Sequence, residues 1–193
     1  MSKPDKKIII LTEDELRKTF SRLTFEIIEK ISNLENLLLV GIPTRGVHLA
    51  EVLRKEMLDK TGVDVKKGII DPTFYRDDQN RVGTRLIEAT DFPTSIEKKD
   101  IVLIDDVIYT GRTIRAAIEA LLLWGRPKSI MLLVMIDRGH RELPIQPDFC
   151  GRKVPTSKKE TVHLCLKEVD GEEGIFLKKV YYLPIKTGNK TDL

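Results

Sequence analysis

The chain has 193 residues, of which 41% are hydrophobic and 33% charged; this composition excludes a disordered protein and indicates a globular domain with a substantial core. Its 33 basic and 30 acidic side chains give a formal charge of +3, which alone does not argue for nucleic-acid binding. The two cysteines, Cys150 and Cys165, are too few for a disulfide framework and lack metal-ligand spacing. No apolar run is long enough to cross a membrane and no signal peptide is evident, so we expect a cytoplasmic protein.

The first third of the chain predicts strands that alternate with helices. Thr12 and Glu15 have the spacing of a capping box, and the apolar residues after them recur with a helical period to about Asn33. A second helix is predicted at residues 47–58, after a turn at residues 43–46. Short apolar runs predict strands at residues 8–11, 37–42 and 63–70. This order is typical of a βαβ arrangement with a parallel sheet.

The middle of the chain contains a long polar segment and then resumes the alternation. Residues 75–91 are charged, contain glycine and lack a sustained period, so we predict a mobile loop there. A helix is predicted at residues 113–124, where Gly125 followed by a proline ends it. The apolar run at residues 130–136 then predicts another buried strand.

The last part of the chain differs in composition from the rest. From Asp137 onward it is rich in proline and basic residues, with short strands predicted near residues 161–166 and 174–182. No repeat or low-complexity linker separates it from the preceding core. We therefore expect a single domain over residues 1–193, with a flap formed mainly by residues 137–182 over the carboxyl edge of the sheet.

The stretch IVLIDDVIYTGRT, at residues 101–113, combines features of a ligand site. Its apolar run predicts a buried strand, and Asp105 and Asp106 lie near the carboxyl end, where open α/β sheets place ligands. The following TGRT turn offers amides and hydroxyls at a helix amino terminus, which favours a phosphate. The alternative is an ordinary strand-loop-helix crossover. A crossover alone does not explain two carboxylates here, because each desolvated carboxylate costs on the order of several kcal/mol unless it is paired. Carboxylates beside an anion cradle suit a sugar phosphate with vicinal hydroxyls.

The run VLIDDVIYTGRT resembles the phosphoribosyl pyrophosphate motif of the type I phosphoribosyltransferases. The resemblance implies their α/β fold, a central, mostly parallel sheet flanked by helices with a small hood. It also implies that the two aspartates hold the ribose hydroxyls and that the phosphate loop wraps the 5-phosphate. Magnesium is expected to be carried with phosphoribosyl pyrophosphate rather than by dedicated protein ligands. The substrate contacts expected in this stretch are Asp105, Asp106, Val107, Ile108, Tyr109, Thr110, Gly111, Arg112 and Thr113.

Two other segments resemble the family's pyrophosphate-binding parts. Residues 41–46 follow a predicted strand, and the family places a pyrophosphate loop there, so Thr44 and Arg45 are expected to bind the leaving group. The alternative is a βα turn with an exposed arginine. Arg45, Asp105 and Asp106 are the residues expected to act in catalysis. The polar loop matches the family's flexible loop, and its candidates to reach the pyrophosphate are Arg76, Arg81 and Arg85.

The nucleobase is indicated by Tyr109, because hypoxanthine-guanine enzymes carry an aspartate at that place. The stretches TFYRDD, LWGRPKSI and DRGHRELPIQPDFCGRKVPTSK resemble the pyrimidine-operon regulators that are also uracil phosphoribosyltransferases, and this resemblance extends from about Lys7 to Tyr182. It implies that uracil and phosphoribosyl pyrophosphate form UMP and pyrophosphate. Arg138 and the backbone near Val154 are then expected to contact uracil. The alternative for Arg138 is a salt bridge with a neighbouring acid, Asp137 or Glu142.

The same resemblance implies binding of pyrimidine leader messenger RNA, promoted by uridine nucleotides. Ser21, Arg22 and Phe25 occupy the expected RNA-binding positions, where relatives carry Thr-Arg and then a histidine, and Gln146 stands where they often carry arginine. One cation and one imidazole are thus missing, so the sequence supports catalysis more firmly than RNA regulation. The alternatives are a salvage enzyme without RNA regulation, a UMP sensor with minor catalysis, and a purine-salvage enzyme, which Tyr109 disfavours. A homodimer or homotetramer is expected.

Overall fold

A parallel five-stranded sheet forms the centre of the computed structural model, which describes residues 7–77 and 89–179. Its strand order is β3-β2-β4-β5-β6. The strands are β1 (Ile8–Leu11), β2 (Leu37–Gly41), β3 (Lys66–Ile69), β4 (Asp100–Ile108), β5 (Ser129–Asp137), β6 (Phe149–Lys153), β7 (Glu160–Cys165) and β8 (Gly174–Lys179). The helices are α1 (Glu13–Lys30), α2 (Arg45–Thr61), α3 (Arg112–Leu122) and α4 (Lys167–Asp170).

Helices cover both faces of the central sheet, which is why its strands are apolar on both sides. In β4, Val102 and Ile104 join the core cluster that contains the apolar faces of α1 and α2. Their neighbours Ile101 and Leu103 join the cluster on the other face, with the apolar residues of α3. β4 lies between β2 and β5 in the middle of the sheet, so its carboxyl end has neighbours on both sides. The predicted α/β fold with a parallel sheet flanked by helices is confirmed.

Local signals set the ends of several elements. The capping box at the start of α1 is formed, with the Glu15 amide donating to the Thr12 hydroxyl and the Thr12 amide donating to the Glu15 carboxylate. The helix ends at Lys30, three residues before the predicted end. α2 ends at Thr61 and is capped by Gly62, whose φ of 73° is the left-handed conformation that glycine adopts without steric cost. Within the described ranges, no helix combines the length and apolar character required to cross a membrane.

A second, antiparallel sheet has the order β1-β8-β7. The first strand of the chain thus pairs with the last described strand, with Ile8 opposite Leu177. β6 was not predicted as a strand, because Phe149–Lys153 is short, basic and contains glycine; it extends the central sheet beside β5. The tail of the chain therefore contributes to both sheets. Arg81, Arg85 and the end of the strand predicted at residues 174–182 lie outside the described residues.

Candidate active site

The acidic pair, Asp105 and Asp106, lies near the carboxyl end of β4. The strand continues through the pair to Ile108, so both aspartates are strand residues at the carboxyl end of the sheet rather than loop residues. Asp105 is buried, and its Oδ1 accepts a hydrogen bond from the Asp106 amide at 2.9 Å. Asp106 Oδ1 in turn accepts from the Val107 amide at 2.9 Å. Both side chains line a cavity of about 470 Å³, which also touches Thr44 and Arg45 of the predicted pyrophosphate loop.

The predicted phosphate loop forms a second cavity of about 300 Å³ at the start of α3. Gly111 has a φ of 92°, which turns the chain sharply from β4 into the helix. The N-cap residue of α3 is Gly111, which has no side chain to bind the first amides, so these can face an anion. The Arg112 amide makes only a long contact, at 3.4 Å, with the Thr110 hydroxyl. The lining residues predicted from the sequence are Asp105, Val107, Ile108, Tyr109, Thr110, Gly111, Arg112 and Thr113.

Two arginines beside this loop have different surroundings. Arg112 donates through Nε to Glu142 at 2.8 Å and through Nη1 to Asp77 at 2.6 Å. The hydrogen bond from Glu142 and the charge of Asp77 raise the pKa of Arg112, so its side chain is committed to carboxylates and its amide belongs to the cradle. Arg76 donates to the Thr113 hydroxyl at 2.7 Å and lines both cavities. Among the described residues of the predicted flexible loop, Arg76 is thus the cation that lies at the site.

Arg45 lines the larger cavity and is anchored to the small sheet. Its Nε donates to the carbonyl oxygen of Leu164 at 2.5 Å, and its Nη2 donates to Asp170 Oδ1 at 2.9 Å. The preceding Pro43–Thr44 peptide bond is cis. A Cβ at Gly46 would lie 2.3 Å from the Ile104 carbonyl oxygen, so the start of α2 packs directly on β4 beside the acidic pair. This close approach places the predicted pyrophosphate loop next to the predicted ribose site.

Arg138 is buried, at 7% exposure, beside a third cavity of about 370 Å³. Its guanidinium donates to the Thr156 hydroxyl at 3.1 Å and to the carbonyl oxygens of Ser157 and Glu160 at 3.2 and 2.7 Å. Burial lowers the pKa of Arg138, and the nearby Tyr109 and Glu160 oppose this shift. The cavity lining comprises Asp137, Arg138, Gly139, His140, Lys153, Pro155 and Thr156.

The alternative interpretation of Arg138 as the partner of a neighbouring acid is wrong. Asp137 pairs with Arg141 at 2.7 Å, and Glu142 pairs with Arg112. Both neighbouring acids are thus paired with other arginines. Val154 lies between two lining residues of the third cavity, and its amide donates to the Asp137 carbonyl oxygen at 2.8 Å. The backbone at Val154 is therefore held to the end of β5 beside this cavity.

Three residues that organise this part of the site were not predicted from the sequence. Arg141 joins Asp137 to the phosphate loop, because it also donates to the Tyr109 carbonyl oxygen at 3.0 Å. The His140 ring packs edge-on against the Tyr109 ring, with centroids 5.7 Å apart. Asp137 further accepts from the Gly139 amide at 2.9 Å. The available signal was their place directly after a predicted buried strand, at the carboxyl end of the sheet.

The predicted RNA-binding residues Ser21, Arg22 and Phe25 lie together on α1, and none of them lines the three cavities described above. Arg22 donates to Glu26 at 2.5 Å and to the carbonyl oxygens of Cys150 and Gly151 in β6 at 3.1 and 2.6 Å. Phe25 is 57% exposed. The helix therefore presents an aromatic ring and a partly exposed cation on one surface.

Comparison with known proteins agrees with this geometry. Residues 10–168 match the family model of the phosphoribosyl transferase domain. The bifunctional protein PyrR of Microcystis aeruginosa is 52% identical over 172 residues, which cover 89% of this chain and 97% of that protein. The chain belongs to the PyrR family of phosphoribosyltransferases. A second PyrR protein, from Limosilactobacillus fermentum, is 48% identical over 88% of this chain and 96% of its own length.

Membership of the PyrR family confirms the resemblance predicted from the sequence. Solved structures show the fold of the wider family. A hypoxanthine phosphoribosyltransferase from Staphylococcus aureus superposes with a TM-score of 0.67 at 21% identity, over 92% of this chain and 93% of that one. The enzyme from Trypanosoma cruzi gives a TM-score of 0.70 at 19% identity, over 91% of this chain and 96% of its own. The chain thus shares its architecture with purine enzymes of distant sequence.

Proposed function

We propose that this chain transfers the phosphoribosyl group of phosphoribosyl pyrophosphate to uracil, releasing pyrophosphate and forming UMP. The observation that carries the proposal is the position of Tyr109. It lines both the cavity of the acidic pair and that of the phosphate loop, and its ring lies beneath Arg138 at the third cavity. Three adjoining subsites suit the phosphate, ribose and base of one nucleotide, with the diphosphate on the side of Arg45.

The proposed roles follow from the chemistry of each group. Asp105 and Asp106 accept hydrogen bonds from the ribose hydroxyls, while the first amides of α3 bind the 5-phosphate. Arg45 and Arg76 bind the leaving diphosphate. In the transition state positive charge develops on the sugar and negative charge on the diphosphate, so carboxylates beside the ribose and cations beside the leaving group stabilise both.

The donor set also fits Mg²⁺ carried with the diphosphate. Asp105 and Asp106 supply hard oxygen donors at the cavity, and magnesium usually keeps several waters and few protein ligands. Among the described residues there is no cluster of three or more His, Cys, Asp or Glu residues that could hold a metal ion by itself. We propose that the hydrated ion is carried with the diphosphate, whose charge it would neutralise, and that Asp105 and Asp106 are not dedicated metal ligands.

Uracil is the proposed base because Tyr109 offers no carboxylate where purine enzymes carry one. Arg138 Nε and Nη2 are bound to Thr156, Ser157 and Glu160, so we propose that its Nη1 hydrogens and the Val154 carbonyl oxygen serve as donor and acceptor for the edge of a pyrimidine. A pyrophosphate-release assay with uracil, orotate, hypoxanthine, guanine and adenine tests this assignment. We expect activity with uracil alone; activity with a purine and none with uracil would contradict it.

The ribose role has its own test. Asp105→Asn and Asp106→Asn each keep the shape of the side chain but lose a charged acceptor, for which about 1.5–3 kcal/mol is typical. We expect kcat/KM to fall by roughly 10- to 100-fold with an unchanged circular dichroism spectrum. The control is Asp14→Asn, which removes an exposed carboxylate paired with Lys18 on α1. Unchanged activity in both site variants would exclude the ribose role.

We also propose that the chain binds pyrimidine leader RNA, with UMP promoting binding. The exposed Phe25 ring supports this second function, because unpaired RNA bases stack on aromatic side chains. Gln146, which stands where relatives often carry arginine, is exposed in the segment before β6. Fluorescence titration of a labelled leader hairpin, with and without UMP, is the test. Equal affinity for an unrelated hairpin would exclude it.

The hood and the oligomer are parts of the same proposal. We propose that residues 137–182 together with β1 form a hood of one domain over residues 1–193, supported by Thr161 of β7 lining the cavity of the acidic pair. We expect a homodimer or homotetramer, for which the exposed apolar side chains Leu122, Leu123 and Trp124 offer contact surface. Light scattering measures the assembly, and limited proteolysis tests whether the hood is cleaved separately from the core.

A further inference from the structure

Arg45 is held at two points by the small sheet and the short helix that follows it. Its Nε donates to the Leu164 carbonyl oxygen in β7, and its Nη2 donates to Asp170 at the end of α4. Asp170 is itself fixed, because its second carboxylate oxygen accepts from the Leu166 amide at 2.9 Å. The side chains of Arg45 and Asp170 are only 31% and 23% exposed. The contact therefore has the geometry of a partly buried, anchored ion pair.

The ion pair has a position that matters for the proposed reaction. Arg45 lines the cavity that also contains Asp105 and Asp106, whereas Asp170 is not among the residues that line it. Arg45 is thus the member of the ion pair that faces the cavity. Burial, and then the charges of Lys178 and Arg45, lower the pKa of the neighbouring His163.

A free arginine would lose side-chain conformational freedom when it binds a diphosphate, which opposes binding. Two existing hydrogen bonds have already fixed the Arg45 guanidinium, with the hydrogens of Nη1 and one hydrogen of Nη2 left for a ligand. We propose that Asp170 is a positioning residue that orients Arg45 toward the leaving diphosphate. This inference rests on the proposed function and assigns a role to a residue outside the cavity.

The test compares Asp170→Asn with Asp64→Asn. Both variants remove the carboxylate of an Asp–Arg ion pair whose arginine belongs to α2, but Asp64 pairs with Arg54, which does not line the cavity. Isothermal titration measures the Kd of inorganic pyrophosphate in the presence of Mg²⁺, and steady-state assays measure the KM values of phosphoribosyl pyrophosphate and uracil. We expect Asp170→Asn to raise the pyrophosphate Kd and the phosphoribosyl pyrophosphate KM about five- to tenfold. The uracil KM and all values for Asp64→Asn should stay within about twofold.

A double-variant comparison separates positioning from a general effect on the fold. In an Arg45→Gln background, Asp170→Asn should raise the pyrophosphate Kd by less than about twofold, since the group that it orients is absent. If Asp170→Asn does not fold, Asp170→Glu provides the measurement, because the longer side chain keeps the charge but shifts the carboxylate away from its position at Arg45 Nη2.

Each outcome decides the proposal. Unchanged pyrophosphate binding in Asp170→Asn, or tighter binding, would overturn it, as would equal increases in the KM values of both substrates. Weaker pyrophosphate binding in a protein that does not use uracil would support the positioning role and reject the base assignment. The titration with pyrophosphate thus separates a failure of this inference from a failure of the proposed function.

Discussion

The guanidinium carbon of Arg138 lies 4.2 Å from the centre of the Tyr109 ring. The two residues follow neighbouring strands, β4 and β5, and their contact closes the gap between the phosphate loop and the third cavity. Because Arg141 also donates to the Tyr109 backbone, the loop position does not depend on the ring alone. Substitution of the Tyr109 side chain can therefore test the ring contact without releasing the loop.

Tyr109→Leu should weaken uracil binding, because it removes the ring beneath a buried cation, a contact worth about 0.5–2 kcal/mol. We expect the uracil KM to rise about three- to tenfold, with a smaller change for phosphoribosyl pyrophosphate. Tyr109→Phe is the control, since it keeps the ring and should stay within about twofold of the wild type. Steady-state kinetics measure both values. Equal effects of the two substitutions would show that the hydroxyl rather than the ring matters.

Gly111→Ala should impair binding of the sugar phosphate. Gly111 has a φ of 92°, and the backbone shift that relieves alanine at this angle displaces the first amides of α3. Gly62→Ala is a matched control, because Gly62 has a φ of 73° at the end of α2 and open space around its missing Cβ. Each variant should lose about 1–2 kcal/mol of unfolding free energy, measured with urea. Only Gly111→Ala should raise the phosphoribosyl pyrophosphate KM, by about tenfold; a similar KM in both variants would contradict the cradle.

Phe25→Ala should weaken RNA binding, because base–aromatic stacking contributes about 1–3 kcal/mol. Lys60 Nζ lies 4.8 Å from the centre of the Phe25 ring and provides a cation beside it. We expect a roughly 5- to 100-fold increase in Kd with an unchanged salt dependence, since no charge is removed. The control Phe74→Ala removes a ring that is 71% exposed next to α3, on the opposite face of the sheet. Equal losses in the two variants would reject α1 as the RNA surface.

Acid should weaken the fold through Glu51. This carboxylate accepts from Arg54 and also contacts Lys67; the Arg54 hydrogen bond is the main cause that lowers its pKa from 4.5 to about 2, against the effect of burial. The stabilisation is therefore complete above about pH 4.5 and is lost as the pH falls toward 2. After solvent screening we expect Glu51→Gln to cost about 1 kcal/mol at pH 7.

Urea unfolding at pH 7 and pH 3 measures this difference, which should shrink at the lower pH. Glu13→Gln is the control, because that carboxylate is half-exposed and lies 3.5 Å from Arg17. A pH-independent cost of Glu51→Gln would indicate lost packing rather than lost charge.

Local patterns predicted the fold well where one segment alone determines the element. The strand predicted at residues 130–136 is observed at Ser129–Asp137, and the capping box placed the start of α1. β6 was missed because its five residues carry no clear period, and only pairing with β5 makes them a strand. The polar segment predicted as a loop at residues 75–91 starts where the 3-10 turn Thr73–Tyr75 ends, and Asp91 at its other end forms a bridge with Ile69.

For the site too, contacts within one stretch of sequence could be predicted, whereas contacts between distant residues could not. The contiguous stretch from Asp105 to Thr113 could be predicted as one cavity wall, because consecutive residues at the end of a strand and the start of the next helix lie close together. The contact between Arg45 and Asp170 joins residues 125 positions apart, and no local pattern contains it. The same holds for Arg138, whose partners depend on how the segment after β6 folds back over β5.

The pairing of β1 with β8 has a consequence for exchanging parts between relatives. Residues 137–182 contain β7 and β8 but not β1, and they also contain β6 of the central sheet. A chimera that transplants this segment must therefore match a foreign strand on each of two sheets, at Ile8–Leu11 and along β5. The covering of the site is not a detachable cassette, and successful chimeras should need the first strand of the donor as well.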